Sequence, residues 1–182
     1  MYKRQLPDRT GRWAFDRLVR QLKKRSVGLV RARRKAIVDA LRTDGHSIRF
    51  VNGGGTGSLE STAGDPSVTE VSAGSGVYVP TSFDGFDSFR REPAAGFVLP
   101  VVRRPTDSIV TCLGGGYIAS GAADPSRLPS PYLPAGLSLL EAEGAGEVQT
   151  PLQVPRGLEL GIGDPVFFRH CKAGELCERF DA

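Results

Sequence analysis

Apolar residues recur at helical spacing through the first quarter of the chain. Phe15, Leu18, Val19 and Leu22 form one stripe, and Val27, Val30, Ile37, Val38 and Leu41 form a second. Ser26 stands where an N-cap for the second stripe belongs, and Gly45 where a left-handed terminating glycine belongs. The pattern predicts two helices, over 11–24 and 27–43, each burying a stripe and exposing arginines. The period then changes. Ser47-Ile48-Arg49-Phe50-Val51 reads as a short strand running straight into a glycine run. One helical turn is expected over 59–63, strand segments at 68–71 and 76–79, and a short helix at 83–89. Helix, strand, glycine loop and strand in that order are the rhythm of an α/β unit.

From about residue 95 the texture is that of short strands. Phe97–Val102, Ile109–Leu113, Glu147–Thr150 and Val166–His170 are apolar or alternating runs. Gly114-Gly115-Gly116 and a proline-rich stretch at 125–134 separate them. This predicts a small β-barrel or sandwich. The division expected is 1–92 for a partial α/β barrel and 93–182 for a β-domain.

Composition narrows the class. The 182 residues are 40% hydrophobic and 24% charged, an ordinary soluble globular balance. No apolar run reaches the ~20 residues of a membrane span, and Met1–Gln5 carries no apolar leader, so a cytoplasmic protein is expected. Cys112, Cys171 and Cys177 are expected as free thiols; the spacing of the last two is not that of a zinc pair. Net charge is +4 but uneven: residues 1–44 carry 14 Lys and Arg against 4 Asp and Glu, and the remainder 10 against 16. A nucleic-acid-binding module over residues 3–42 is one reading. Solvated basic helix faces are the favoured one, because the basic residues alternate with a regular apolar stripe.

Three motifs carry candidate chemistry. In Asn52-Gly53-Gly54-Gly55-Thr56-Gly57-Ser58 the glycines let backbone N–H groups approach an anion, and Thr56 and Ser58 add hydroxyls. No lysine follows as in a nucleotide P-loop, and no acidic residue as in a dinucleotide fingerprint. Another phosphate-ligand enzyme nevertheless stays open. The second motif, Gly74-Ser75-Gly76-Val77-Tyr78, would be the next strand's loop, with the Tyr78 hydroxyl near the same ligand. The third is Phe168-Arg169-His170-Cys171-Lys172-Ala173-Gly174-Glu175, a polar cluster after an apolar strand.

Together these motifs resemble the fold type III pyridoxal-phosphate enzymes, in the D-threonine aldolase / D-serine dehydratase-like branch, and most closely the bacterial amino acid deaminase/aldolase group. The resemblance implies the C-terminal part of an alanine racemase-like (β/α)8 barrel followed by a small β-barrel or sandwich domain. It implies pyridoxal 5'-phosphate as cofactor, its phosphate held by Gly53, Gly54, Gly55, Thr56, Gly57 and Ser58, with Tyr78 beside it. It implies an amino-acid substrate and an aldolase, dehydratase or deaminase reaction. His170 matches the first half of the family's divalent-metal pair, but Lys172 stands at the second position and has no lone pair to give. No lysine matches the Schiff-base residue of the first barrel strand: Lys3, Lys23, Lys24 and Lys35 fall in the basic helical region and Lys172 in the β-domain. A barrel of this kind needs about 250 residues. The expectation is therefore an internal-to-C-terminal fragment, inactive alone, that self-associates or pairs with a missing N-terminal half.

Overall fold

The protein is described by a computed structural model over residues 9–86, 92–122 and 124–180, with side chains from residue 26 on. It divides into two compact units. The first holds the described residues up to Gly54 together with Ser58–Ser72; the second holds Gly55–Gly57 and the described residues from Ala73 on.

The first unit is built on one long helix, α1, Arg9–Thr43. Two helices were expected, and Ser26 was to cap the second; instead α1 runs through it. Strong helix formers surround Ser26 and Gly28, and extending a helix costs less than nucleating another. The expected end at Gly45 is found. Gly45 has φ +87°, its N–H bonds the Arg42 carbonyl, and the His46 N–H bonds Leu41. These two bonds are the paired Schellman closure that left-handed glycine permits. The second apolar stripe does not bury itself as expected: Val30, Ile37 and Leu41 are exposed, Val27 is half-buried, and Val38 is buried.

The strand expected over 47–51 is also absent. Pairing is confined to β1, Asn52–Gly53, which runs parallel to β2, Glu70–Val71, with Asn52 opposite Glu70. Phe50, the apolar end of the expected strand, is exposed. With no layer to cover it, a strand there would gain nothing from its apolar positions. The helical turn forms as expected: α2 spans Leu59–Ala63. Among the described residues this one parallel pair is the whole of the parallel sheet, and the expected (β/α)8 barrel is not seen beyond it.

The second unit is a six-stranded antiparallel sheet. Its strands are β3 (Phe97–Thr106), β4 (Ile109–Leu113), β5 (Ser130–Leu133), β6 (Ser138–Leu139), β7 (Gln149–Gln153) and β8 (Pro165–Arg169). Their order is β5-β8-β3-β4-β7-β6, and edge strands β5 and β6 approach each other, so the sheet nearly closes into a barrel. Its inward faces form one core around Phe97, Leu99, Val101, Val110, Leu152, Val166 and Phe168. The predicted strands at 97, 109, 147 and 166 all appear, with ends shifted by up to four residues.

Two expectations fail here for local reasons. Residues 76–79 are not a strand: Gly74–Val77 is a 3₁₀ turn, and Val79 adopts φ +52°. The short helix expected over 83–89 is reduced to a 3₁₀ turn at Thr81–Phe83, with 87–89 outside the described residues. The division between units also falls at 72/73, where the sequence suggested 92/93. Residues 78–84 bond into the β-unit: the Thr81 and Ser82 N–H groups donate to the carbonyls of His170 and Cys171, and Arg169 pairs with Asp84.

Candidate phosphate site and the His170 cluster

The glycine loop starts in the first unit. Gly54 has φ +82°, and a Cβ there would lie 2.7 Å from the Thr62 hydroxyl. Glycine is therefore required twice over, by conformation and by the close approach of α2. A Cβ on Gly53 would sit 3.5 Å from the Arg34 guanidinium, so the loop backbone passes directly beside a cation. Arg34 pairs with Asp65 at 2.5 Å, and Arg31 lies 3.7 Å from the same carboxylate. Asp65 is buried and also accepts from the Ser67 hydroxyl and N–H, at 2.7 and 2.9 Å. These two bonds, and then the two guanidiniums, hold its carboxyl below the usual range.

Around this ion cluster lies a cavity of ≈ 260 Å³, lined by Arg31, Arg34, Gly54, Ser58, Ser61 and Thr62 and by the apolar Val27 and Val30. Two arginines against one aspartate leave it with a net positive charge. The Ser61 hydroxyl donates to the Ser58 carbonyl at 3.0 Å and the Thr62 hydroxyl to the Ser58 hydroxyl at 3.3 Å, so the Ser58 hydroxyl and the backbone of Gly54, beside the two guanidiniums, are the polar groups of the type that hold a phosphate. The cavity sets Gly54 and Ser58 of the expected loop beside Arg31 and Arg34, which the sequence did not single out. The signal available was Asp65-Pro66-Ser67, an Asx-turn sequence whose carboxylate calls for a cation.

The rest of the loop belongs to the second unit. Thr56 is buried and donates its hydroxyl to the Ala73 carbonyl at 3.0 Å, so that proton is committed within the protein. A Cβ on Gly76 would meet the Thr56 hydroxyl at 2.8 Å, which places the first and second motifs in contact. A Cβ on Gly57 would come within 3.0 Å of the Phe86 ring.

Tyr78 and His170 come together, with ring centroids 6.3 Å apart and edge-to-face. Tyr78 shares a hydrogen bond with Cys177, and that bond, the electrostatic interaction between the two groups and burial all raise the Tyr78 pKa. His170 is buried, and its Nε2 meets the Ala173 carbonyl at 2.7 Å. A carbonyl only accepts, so Nε2 carries the proton; Nδ1 is enclosed without a partner. Val79 and Ala173 both hold positive φ beside this pair, and the Val79 carbonyl accepts from Arg169.

Lys172 and Glu175 line a separate cavity of ≈ 300 Å³ with Ser120 and Arg179. Lys172 donates to the Ser120 hydroxyl at 2.6 Å and lies 3.8 Å from Glu175. The Ser120 hydroxyl and N–H both donate to Glu175. These bonds, with Lys172 and Arg127 behind them, hold the Glu175 carboxyl below its ordinary range.

Neither implied group is fully matched by these residues. For a divalent metal, His170 offers no outward nitrogen and Lys172 is a committed cation. Among the described residues no group of three or more His, Cys, Asp or Glu side chains could hold an ion. For pyridoxal phosphate the phosphate end fits the arginine-lined cavity. The amine end does not: Lys35 is exposed and paired with Asp39 at 2.5 Å, and Lys172 is bound to Ser120. The side chains of Lys23 and Lys24, and all of Lys3, lie outside the described residues.

Among the described residues no helix is long and apolar enough to cross a membrane. No protein-family model matches the sequence, and no curated protein does. Solved structures do match. A D-threonine aldolase from Filomicrobium marinum superimposes with a TM-score of 0.66 over 86% of this chain, at 17% identity. The match covers 41% of that enzyme's chain. At this identity the likeness is one of fold: an α/β segment followed by a nearly closed antiparallel barrel.

Proposed function

We propose that this chain is a portion of a pyridoxal-phosphate-dependent amino-acid lyase, of the aldolase or deaminase kind, that keeps the cofactor's phosphate site and is inactive alone. One observation carries the reading. The glycine loop lines a positively charged cavity with Arg31 and Arg34, in a chain whose fold follows that of a D-threonine aldolase. Bound pyridoxal phosphate supplies an electron sink for amino-acid chemistry. In this chain Arg34, Gly54 and Ser58 hold and orient its phosphate, and none of the described lysines is placed to fix its aldehyde.

Thermal melting with pyridoxal phosphate, pyridoxal and a panel of nucleotides tests this. Pyridoxal phosphate at ~100 times its dissociation constant should raise the melting temperature by roughly 5 °C or more. Pyridoxal, which lacks the phosphate, should do nothing, and borohydride should trap no cofactor on the protein. A shift with nucleotides alone would make this another phosphate-ligand protein. A borohydride-stable adduct would show that a lysine does serve as the Schiff base.

A further inference from the structure

α1 carries a second face that the rest of its unit leaves open. Val38 is buried and Arg34 half-buried, and they mark the side of α1 that packs inward. Leu29, Arg33 and Ile37 are spaced at i, i+4 and i+8, and Val30, Ile37 and Leu41 at i, i+7 and i+11, so the five share one stripe. All five are exposed, Leu29, Val30 and Ile37 at 54%, 54% and 61%. Four large aliphatic side chains therefore flank one guanidinium. They do so on a helix whose sequence holds 12 Lys and Arg against 2 Asp.

We propose that this face of α1 lies on the surface of a bilayer rich in anionic lipid. The mixture of residues selects the occupant. A protein core that covered Leu29 and Ile37 would also enclose Arg33, one turn from each, and would need a buried acid to pair it. A second copy of this face brings no such acid and sets like charges together. Asp39, the acid among the described side chains of α1, is already paired with Lys35 at 2.5 Å. A nucleic-acid backbone would satisfy the cations but give the aliphatic side chains no apolar surface to enter. The headgroup level of a bilayer meets both needs. Leu29, Val30, Ile37 and Leu41 enter the acyl boundary, while the Arg33 stem runs along them and its guanidinium reaches the lipid phosphates. The excess of cations along α1 draws the helix to a negative surface. Arg31 and Arg34 are turned to Asp65 and stand outside this face, so the inference is independent of the cofactor reading.

Co-sedimentation of the full chain with lipid vesicles tests it, with circular dichroism as the check on folding. The chain should pellet with vesicles of phosphatidylcholine holding about one-third phosphatidylserine, stay in solution with phosphatidylcholine alone, and be released by added salt. Ile37→Glu should weaken binding by at least ~10-fold, the change expected when a large aliphatic side chain no longer enters the acyl boundary. Arg33→Glu, the second variant, should weaken it by ~10-fold or more, since it reverses a charge held close to the lipid phosphates. Val148→Glu, at an exposed position of the β-unit, should bind as the wild type does. No binding to the anionic vesicles overturns the proposal. So does binding that Arg33→Glu abolishes and Ile37→Glu leaves unchanged, which would reduce the contact to charge alone. A chain that ignores vesicles but binds duplex or single-stranded nucleic acid overturns it in favour of that partner. One that ignores vesicles and forms an oligomer dissolved by Ile37→Glu overturns it in favour of a protein surface.

Discussion

At the residue scale the most constrained group is Asp65. Its carboxylate is buried, takes two bonds from Ser67 and faces two guanidiniums. Its folded-state pKa therefore lies below the ordinary 3.8. A depressed acid contributes stability that is fully present above the unfolded-state value. That contribution fades as pH falls below 3.8 and is gone once the folded-state group is protonated. Asp65→Asn should accordingly destabilise the protein at neutral pH, by urea midpoint, and the gap to wild type should narrow below pH 4 or so. A gap that stayed constant into strong acid would mean the charge contributes nothing. The residues around Asp65 also show what the sequence could and could not reveal about the site. The glycines and Ser58 announced themselves by type and adjacency. Arg34 did not, because its role depends on α1 bringing residue 34 beside residue 53, a contact no local pattern encodes. Thr56 was counted as a phosphate donor for its hydroxyl, yet that hydroxyl is spent on the Ala73 carbonyl.

At the element scale the outcome turns on which runs have a partner. The strands at 97, 109 and 166 were legible because β-branched and aromatic residues alternate there against a single core. β5 and β6 were not, since Ser130-Pro131-Tyr132-Leu133 reads as loop and becomes a strand only because β8 pairs with it. The reverse error occurred at 47–51, an apolar run with no sheet to join. The helix is the other case: Ser26 looked like the cap of a second helix, and α1 passes through it and Gly28. That continuity makes a prediction. Gly28 is exposed, and a Cβ there would meet nothing within 4 Å. Within a helix interior, Gly28→Ala should stabilise the helix by ~1 kcal/mol, seen as a higher urea midpoint at 222 nm. No gain would indicate that residue 28 lies in the first turn of a separate helix capped by Ser26, the break the sequence pattern implied.

At the scale of the whole molecule the two units are unequally supplied with core. In the second, more than ten apolar side chains, from β3, β4, β7, β8 and the segments that follow or join them, share one cluster, with Val101, Leu152 and Val166 fully enclosed. In the first, Val38 is the buried apolar side chain among the described residues, and Thr62 and Asp65 are the buried polar ones. Burying a large aliphatic side chain is worth about 1.5–3 kcal/mol, so one valine cannot offset the backbone entropy of a unit this size. The ion cluster at Asp65 adds specificity more than net energy, because its charges must first be desolvated. Unfolding should therefore proceed in two stages. Hydrogen exchange should report amides of residues 26–72 opening at low free energy, with those of β3, β4, β7 and β8 protected up to the global limit. The 222 nm signal of α1 should fall before the aromatic near-ultraviolet signal of the Phe97–Tyr117–Phe168 cluster. Pyridoxal phosphate, bound in the cavity beside Arg34, should raise only the first stage, which would separate stabilisation of the α/β unit from any effect on the barrel. Coincident transitions by both probes, with uniform protection across residues 26–180, would mean that the α/β unit draws its stability from the barrel and that the two fold as one.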